Sequence, residues 1–144
     1  MSHDIVLRPA TRDDRDALWS IRYAVTENTL PPGRIGDDEL FSAIEDTGRG
    51  WVAEHNGNTV GFAIGLFSGQ VWALFIHPDH QGRGIGSALH SRMLAWFAEQ
   101  PVPVLWLSTG LQTRARAFYL AHGWREAGPY GANEIRMERD NGGR

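Results

Sequence analysis

The stretch HPDHQGRGIGSALHSRM, from His77 to Met93, decides how the rest of the chain is arranged around it. Glycine occupies three of five consecutive positions in its centre, at 82, 84 and 86. A segment typical of a strand precedes these glycines, and apolar residues at helical spacing follow them. The unpaired N–H groups of a helix start attract anions, glycines let a ligand approach the backbone, and Arg83 adds a positive charge. The stretch therefore predicts a structural turn, a dinucleotide site or a cradle for another phosphate.

The segments on either side of these glycines alternate between strand and helix patterns. Asn-Gly-Asn at 56–58 and Ser-Gly at 68–69 indicate hairpin turns, and Pro78 ends a strand because it cannot donate to a sheet. The predicted strands cover 4–10, 51–55, 59–67, 71–76, 104–108, 124–127 and 134–138, and the helices cover 11–28, 37–48, 85–97 and 114–122. The order β-α-α-β-β-β-α-β-α-β-β predicts an α/β fold, with one domain over 1–144, one mixed sheet and helices on both sides. Because the strand over 104–108 is almost wholly apolar, we expect it to be buried on both faces and parallel to the strand over 71–76.

The composition excludes several classes of protein and site. The 144 residues include no cysteine, which removes disulfides, thiolate metal sites and cysteine nucleophiles. All 14 basic residues are arginine, which removes a Schiff-base lysine and the lysine of a nucleotide-binding P-loop. A net charge of −3 disfavours a nucleic-acid partner. We find neither an export signal nor a run of roughly 20 apolar residues, so we expect a cytoplasmic protein without a membrane partner.

Two kinds of site fit the glycine-rich stretch poorly. A dinucleotide fingerprint requires glycine or alanine where Ser87 stands, and an acidic residue at the end of the next strand, VLWLSTG, which has none. His77 and His80 have the H-x-x-H spacing of a metal-binding pair, but such pairs usually sit on a helix, which Pro78 disfavours. We therefore expect neither a NAD site nor a metal.

The remaining pattern is Q-x-x-G-x-G, formed by Gln81, Gly84 and Gly86, and it resembles motif A of the GNAT superfamily of acyl-CoA-dependent N-acyltransferases. The segment ARAFYLAHGW at 115–124, which contains Tyr119, is similar to that family's A-x-x-x-Tyr-x-x-x-Gly-aromatic segment. With the order of elements, the resemblance covers nearly the whole chain. It implies a splayed central sheet and transfer of an acetyl group from acetyl-CoA to a primary amine of a small molecule. A protein or peptide N-acetyltransferase and a non-catalytic CoA-binding sensor are the alternatives.

The resemblance also implies which residues bind the cofactor. The backbone amides from Gly82 to Ser87 and the Arg83 side chain would hold the CoA pyrophosphate. The main chain of 74–76 would pair with the pantetheine arm and donate to the developing oxyanion. Gln112 stands where many members carry asparagine. The expected cofactor-binding residues are Leu74, Phe75, Ile76, Gln81, Gly82, Arg83, Gly84, Ile85, Gly86, Ser87, Gln112 and Tyr119.

Attack of an amine on a thioester needs an acid and a base. A tyrosine with an ordinary pKa of about 10 is protonated at neutral pH, and it can give its proton to a leaving thiolate whose thiol has a pKa of about 8.5. The family's match for this acid is Tyr119, and the candidate bases are Glu27, His77 and water between them. The family binds the acceptor between the first two helices, the splayed strands and the last hairpin, and it allows a homodimer. The corresponding pieces are Trp19, Tyr23, Glu27, Asn28, 30–39, Trp72 and 128–133.

Overall fold

The computed structural model describes residues 5–25 and 34–142. The strands are β1 (Ile5–Pro9), β2 (Gly48–His55), β3 (Asn58–Leu66), β4 (Val71–Ile76), β5 (Val104–Gly110), β6 (Arg125–Tyr130) and β7 (Glu134–Asp140). The helices are α1 (Arg15–Ala24), α2 (Asp37–Glu45), α3 (Ile85–Phe97) and α4 (Arg114–Ala121), and short 3-10 turns cover Arg12–Asp14 and Pro78–His80. The predicted order of strands and helices is confirmed. Each helix in the described part of the chain is too short or too polar to cross a membrane.

Local sequence explains where several elements begin. Asn56 and Gly57 have positive φ angles of 54° and 81°, which a tight turn of type I′ requires at both central residues. Thr11 and Asp14 form a reciprocal capping box at the turn before α1. The buried Asp14 carboxylate also accepts hydrogen bonds from the Arg8 guanidinium at 2.7 and 3.0 Å, which lowers the pKa of Asp14. These contacts tie β1 to the start of α1.

The strands form two antiparallel sheets, with the orders β1-β2-β3-β4 and β5-β7-β6. Between β4 and β5 the structure has one parallel bridge, Gln70 to Trp106, and the strands part beyond it. The predicted single mixed sheet is therefore wrong in detail, because the parallel pairing does not continue, whereas the implied splay is confirmed. Burial of 104–108 on both faces is also wrong. Leu105 and Leu107 are buried, but Trp106 stays partly exposed because side chains of β6 and β7, rather than a helix, lie against it.

Two apolar cores lie on opposite faces of the four-stranded sheet, because neighbouring residues of a strand point in opposite directions. Val52 and Ile64 pack with the buried residues of α1 and α2. Their neighbours Ala53 and Ala63 pack with α3, in a core that continues under β5 and β7. Helices on both sides of the sheet are thus confirmed, and α3 is fixed firmly behind the glycine-rich stretch.

Candidate active site

The glycine-rich stretch forms a loop at the N-terminus of α3. Gly82 and Gly84 have φ angles of 79° and 81°, which residues with side chains rarely adopt. Gly84 is the N-cap of α3, so the first N–H groups of this 13-residue helix follow it directly. Gly86 lies in the first helical turn, where an added Cβ would come no closer than 3.6 Å to Phe118. The backbone itself therefore requires glycine at two of the three positions.

A cavity of about 330 Å³ opens beside this loop, and we name it the glycine cavity. Its walls are the loop, the start of α3, the end of β4 and the start of α4. Ten of the twelve predicted cofactor-binding residues line it, so the structure brings most of that set together. The lining residues are Val25, Leu74, Phe75, Ile76, His80, Gln81, Gly82, Gly84, Ile85, Gly86, Ser87, Thr109, Thr113, Arg114, Ala115, Phe118 and Tyr119.

The other two predicted cofactor contacts, Arg83 and Gln112, lie outside the glycine cavity. Arg83 is exposed and borders a separate cavity beside β1 and β2. Gln112 is exposed in the turn between β5 and α4. Arg114, which opens α4, borders the glycine cavity instead and hydrogen-bonds the side-chain oxygen of Gln81. Sequence reasoning missed Arg114, although a basic residue at the first position of the helix that contains the predicted tyrosine was a usable signal.

A second cavity of about 310 Å³ lies between α1, the start of α2 and the opening between β4 and β5, and we name it the aromatic cavity. Of the residues that the structure describes, five border both cavities, namely Leu74, Phe75, Thr109, Ala115 and Tyr119. The two cavities therefore meet where β4 and β5 part. The other residues that line the aromatic cavity are Leu18, Trp19, Arg22, Arg34, Ile35, Leu40, Phe62, Val71, Trp72, Ala73, Leu107, Ser108 and Glu134.

Tyr119 lies on α4 at the junction of the cavities and is 6% exposed. Its ring lies 5.4 Å from those of Phe118 and Trp124 and 6.2 Å from that of His90, measured between centroids. Burial raises the pKa of the Tyr119 hydroxyl above its ordinary value of about 10. The hydroxyl therefore keeps its proton at neutral pH, which is the state a general acid needs.

Of the two side chains predicted as bases, His77 and Glu27, the structure describes only His77. The Nδ1 atom of His77 accepts the backbone N–H of Asp79 at 3.1 Å, so its lone pair caps the short turn after β4. The ring of His77 borders neither the glycine cavity nor the aromatic cavity. Glu27 lies outside the described residues. Within 5–25 and 34–142, no three histidine, aspartate or glutamate side chains are grouped to hold a metal ion.

Among the described residues, three charged ones line the aromatic cavity; sequence reasoning missed Arg22 and Glu134, whereas Arg34 belongs to the predicted acceptor segment 30–39. Glu134 opens β7 and pairs with Gly110 at the end of β5, which brings it beside the junction of the cavities. Arg22 reaches the cavity from α1, and its guanidinium lies 4.4 Å from the centroid of the Phe75 ring. Arg34 comes from the segment before α2. The register of the second sheet brings Glu134 here, and nothing in the spacing of the sequence indicates it.

The predicted acceptor pieces reach the aromatic cavity in part. Trp19 and Trp72 both line it, whereas Tyr23 stacks on Trp19 at 5.7 Å between centroids and is largely exposed. The Nε1–H group of Trp19 donates to Asp37 at 2.9 Å, which fixes the indole at the wall of the cavity. Asn28 lies outside the described residues. An aromatic wall of this kind suits the apolar part of a small molecule.

Comparison with known proteins relates this geometry to one family. The family described as Acetyltransferase (GNAT) domain matches residues 46–126, which are more than half of the chain. N-acetyltransferase 8F1 of Mus musculus is 32% identical over 90 residues, which are 56% of this chain. The matched part spans 40% of the length of that mouse protein.

Two solved structures have the same fold. Ribosomal-protein-S18-alanine N-acetyltransferase from Escherichia coli has a TM-score of 0.78 at 19% identity, over 96% of this chain and 94% of that chain. PaiA N-acetyltransferase from Thermoplasma acidophilum, solved in complex with coenzyme A, has a TM-score of 0.81 at 14% identity, over 95% of this chain and 99% of that chain. The residues that match the family run from the end of α2 to β6 and include both the glycine loop and Tyr119. The chain therefore belongs to the GNAT family of acetyltransferases, whose members use acetyl-CoA.

Proposed function

We propose that this chain transfers the acetyl group of acetyl-CoA to a primary amine of a small molecule, with Tyr119 as general acid. The proposal depends above all on the meeting of the two cavities at Tyr119, where β4 and β5 part. The glycine cavity has a backbone suited to a phosphate, and the aromatic cavity has side chains suited to an amine. Direct transfer needs such a junction, because the reacting atoms must approach to about 3–3.5 Å.

The glycine cavity fits CoA through its backbone. Apart from each glycine's own chain neighbours, no heavy atom of the described residues lies within 4 Å of where a Cβ of Gly82 or Gly84 would be, which leaves room for a pyrophosphate against the loop. The N–H groups from Gly82 to Ser87 lie at the positive end of the α3 dipole. We infer that these groups hold the pyrophosphate and that Arg114, held by Gln81, adds a charge-assisted hydrogen bond.

The end of β4 is suited to bind the extended pantetheine arm. β4 pairs with β3 along one edge, and the single bridge to β5 lies before β4 on the other edge. Leu74, Phe75 and Ile76 border the glycine cavity beyond that bridge. We infer that their main-chain groups pair with the arm as an added strand. An N–H group of this segment would also stabilise negative charge on the thioester oxygen.

The proposed chemistry assigns one proton to each of two residues. When bound, acetyl-CoA supplies a thioester carbonyl that the amine attacks, so that a C–N bond forms as the C–S bond breaks. Tyr119 gives its hydroxyl proton to the departing sulfur. Glu134, which borders the aromatic cavity, accepts the proton that the amine nitrogen loses, and Tyr119 regains its proton through solvent. Glu27 and His77 stay predictions for the base, and the position of His77 makes it the weaker of these two.

The test measures free thiol released from acetyl-CoA with a panel of small amines, peptides and polyamines. Tyr119→Phe keeps the buried ring and removes the acid, and we expect kcat to fall by roughly 10²- to 10⁴-fold. Leu120→Ala is the control on the same helix, because Leu120 is exposed and lines neither cavity. CoA binding by calorimetry accompanies each assay and should be unchanged in both variants.

Each outcome bears on a different part of the proposal. Release that depends on a small amine and is lost in Tyr119→Phe supports the whole of it. Release with peptides but with no small amine would overturn the acceptor class and favour a protein N-acetyltransferase. CoA binding without release from any amine would overturn the enzymatic function in favour of a CoA-binding sensor. Equal kcat in Tyr119→Phe and wild type would overturn the acid role.

A further inference from the structure

Ser87 and His122 form a hydrogen bond at the wall of the glycine cavity. Ser87 lies in the first turn of α3 and lines this cavity. Its Oγ atom is 3.1 Å from Nε2 of His122, the residue that directly follows α4. The His122 ring lies behind Ser87 and does not line the cavity itself. The two residues are 35 positions apart in sequence, so the packing of α4 against α3 brings them together.

The other ring nitrogen of His122 decides which of these two atoms donates. Nδ1 lies 2.7 Å from the backbone carbonyl oxygen of Phe118, and a carbonyl oxygen only accepts, so Nδ1 carries a proton. The imidazole also stacks on the Phe118 ring, with 4.0 Å between centroids and 24° between planes, which fixes its orientation. In neutral His122, Nε2 therefore has a lone pair and accepts the hydroxyl proton of Ser87. That proton then points to His122 rather than into the glycine cavity.

A phosphate bound at Ser87 changes which arrangement of protons is favourable. Ionised phosphate oxygens only accept hydrogen bonds, so the Ser87 hydroxyl must turn its proton to the ligand in order to bind one. With His122 neutral, the lone pairs of Nε2 and Oγ would then face each other at 3.1 Å. A proton on Nε2 removes this conflict, because His122 then donates to Ser87 and Ser87 donates to the phosphate. Hydrogen bonds linked in this way and ending on an anion strengthen one another.

The neighbours of His122 leave its charge open to the influence of a ligand. In the described part of the chain, His90 of α3 and Arg139 of β7 pack against it, the His90 ring at 5.1 Å between centroids. His90 is neutral, since its Nε2 atom accepts from Trp124. Arg139 donates to the His122 carbonyl at 3.1 Å and opposes a further positive charge, whereas the C-terminal end of α4 favours one. A pyrophosphate beside Ser87 adds negative charge and so favours the charged imidazole.

We propose that binding of the CoA pyrophosphate is coupled to uptake of a proton by His122, which acts on the ligand through Ser87 as a positioning residue. This inference rests on the proposed function, which assigns the pyrophosphate to the glycine cavity, and adds a residue that does not line that cavity. Because ligand and proton favour each other's binding, the affinity for CoA should rise as pH falls towards neutral. Acetyl-CoA and free CoA should behave alike, since both carry the pyrophosphate.

Calorimetric titration with acetyl-CoA measures the number of protons taken up. Titrations are run at pH 7 and pH 8 in HEPES and in Tris, which differ in ionisation enthalpy, and phosphate buffer is avoided as a competing anion. Acetyl-CoA has no free thiol, and protons exchanged by its 3′-phosphate contribute equally to every variant. The wild type should take up about half a proton more than His122→Gln. Its Kd should rise by about three- to tenfold from pH 7 to pH 8.

Variants of Ser87 and of three histidines identify the group that takes up the proton. His122→Gln can still hydrogen-bond Ser87 but does not titrate, so its Kd should change by about twofold or less between pH 7 and pH 8. Ser87→Ala removes the hydroxyl between His122 and the ligand and should have the same effect. His80→Gln tests a histidine that lines the glycine cavity directly, and His55→Gln is the control, since His55 lines neither named cavity. Both should keep the wild-type dependence on pH.

The results separate the role of His122 from the proposed function. Equal proton uptake in wild type and His122→Gln would overturn the inference, and so would uptake that is lost in His80→Gln instead. Uptake that survives in Ser87→Ala would overturn the link through Ser87. Binding of acetyl-CoA without any uptake would overturn the inference alone and leave the proposed function standing. Failure of the wild type to bind acetyl-CoA would overturn both.

Discussion

His90 is a histidine that folding keeps neutral, and acid should therefore destabilise the protein through it. It lies on α3 and is 2% exposed. Its Nε2 atom accepts the indole N–H of Trp124 at 3.0 Å, so this nitrogen carries no proton. Burial first, and then the nearby His122 and Arg139, lower the pKa of His90 from 6.5 to about 4. Protonation would place a charge in the core and break the hydrogen bond from Trp124.

The size and sign of the effect follow from this pKa. Between about pH 4 and 6.5 the unfolded chain binds more protons at His90 than the folded protein does, so the free energy of unfolding falls as pH falls through that window. The full difference between the pKa of His90 in the unfolded and folded states corresponds to about 3 kcal/mol in the free energy of unfolding, since each pKa unit corresponds to about 1.4 kcal/mol. Because proton binding at His90 is linked to unfolding, the free energy of unfolding should fall by about 2 kcal/mol between pH 7 and pH 5.

Urea unfolding at pH 7, 6 and 5 measures this loss. His90→Gln retains an oxygen that can accept from Trp124 but does not titrate, so the variant should lose about 2 kcal/mol less than wild type between pH 7 and 5. His122→Gln is the control and should retain most of the wild-type loss, because burial is the largest cause of the shift. Equal pH dependence in wild type and His90→Gln would refute the reasoning.

Three further substitutions test the fold around the site. Gly84→Ala should lower the free energy of unfolding by about 1–2 kcal/mol and weaken CoA binding, because alanine resists a φ of 81°. Gly86→Ala is its matched control and should bind CoA nearly as wild type does in calorimetric titration, so equal losses in both variants would contradict this explanation. Asp14→Asn should cost about 1–3 kcal/mol at pH 7. Because the pKa of Asp14 is lowered, that cost should shrink as pH falls below about 3.9, and urea unfolding that shows a constant cost would contradict it. Gly48→Ala would bring a Cβ to 2.2 Å from the carbonyl oxygen of Gly65, a backbone atom that cannot move aside, so a loss of about 1–3 kcal/mol is expected and an unchanged midpoint of thermal unfolding would count against it.

Much of the fold could be predicted from sequence because it depends on local chemistry. Asn56 and Gly57 tolerate positive φ, and Pro78 cannot donate to a sheet, so the hairpin and the end of β4 are decided within a few residues. The glycines at 82 and 84 likewise adopt the left-handed backbone that makes a loop before α3. These features fixed the order of elements and the glycine loop before any long-range contact was considered.

The parts that sequence reasoning missed all depend on contacts between distant segments. Parallel pairing of β4 and β5 stops after the bridge between Gln70 and Trp106, and the residue types near Gln70 do not indicate that it ends there. Arg114 lies against Gln81 because α4 packs beside the glycine loop, so it borders the cavity where Gln112 was expected. Glu134 reaches the junction through the antiparallel register with Gly110.

The sequence by itself determined the family, the succession of strands and helices, the loop that suits a phosphate and the tyrosine that faces it. Those features depend on residue types whose backbone preferences and acid–base properties act within a few positions along the chain. The tertiary structure alone decided how far β4 and β5 separate, and therefore that Tyr119 borders two cavities. It also decided that Arg22, Arg34 and Glu134 share one of these cavities. Side chains far apart in sequence come together through strand register and helix packing, and those depend on the whole core rather than on any local pattern.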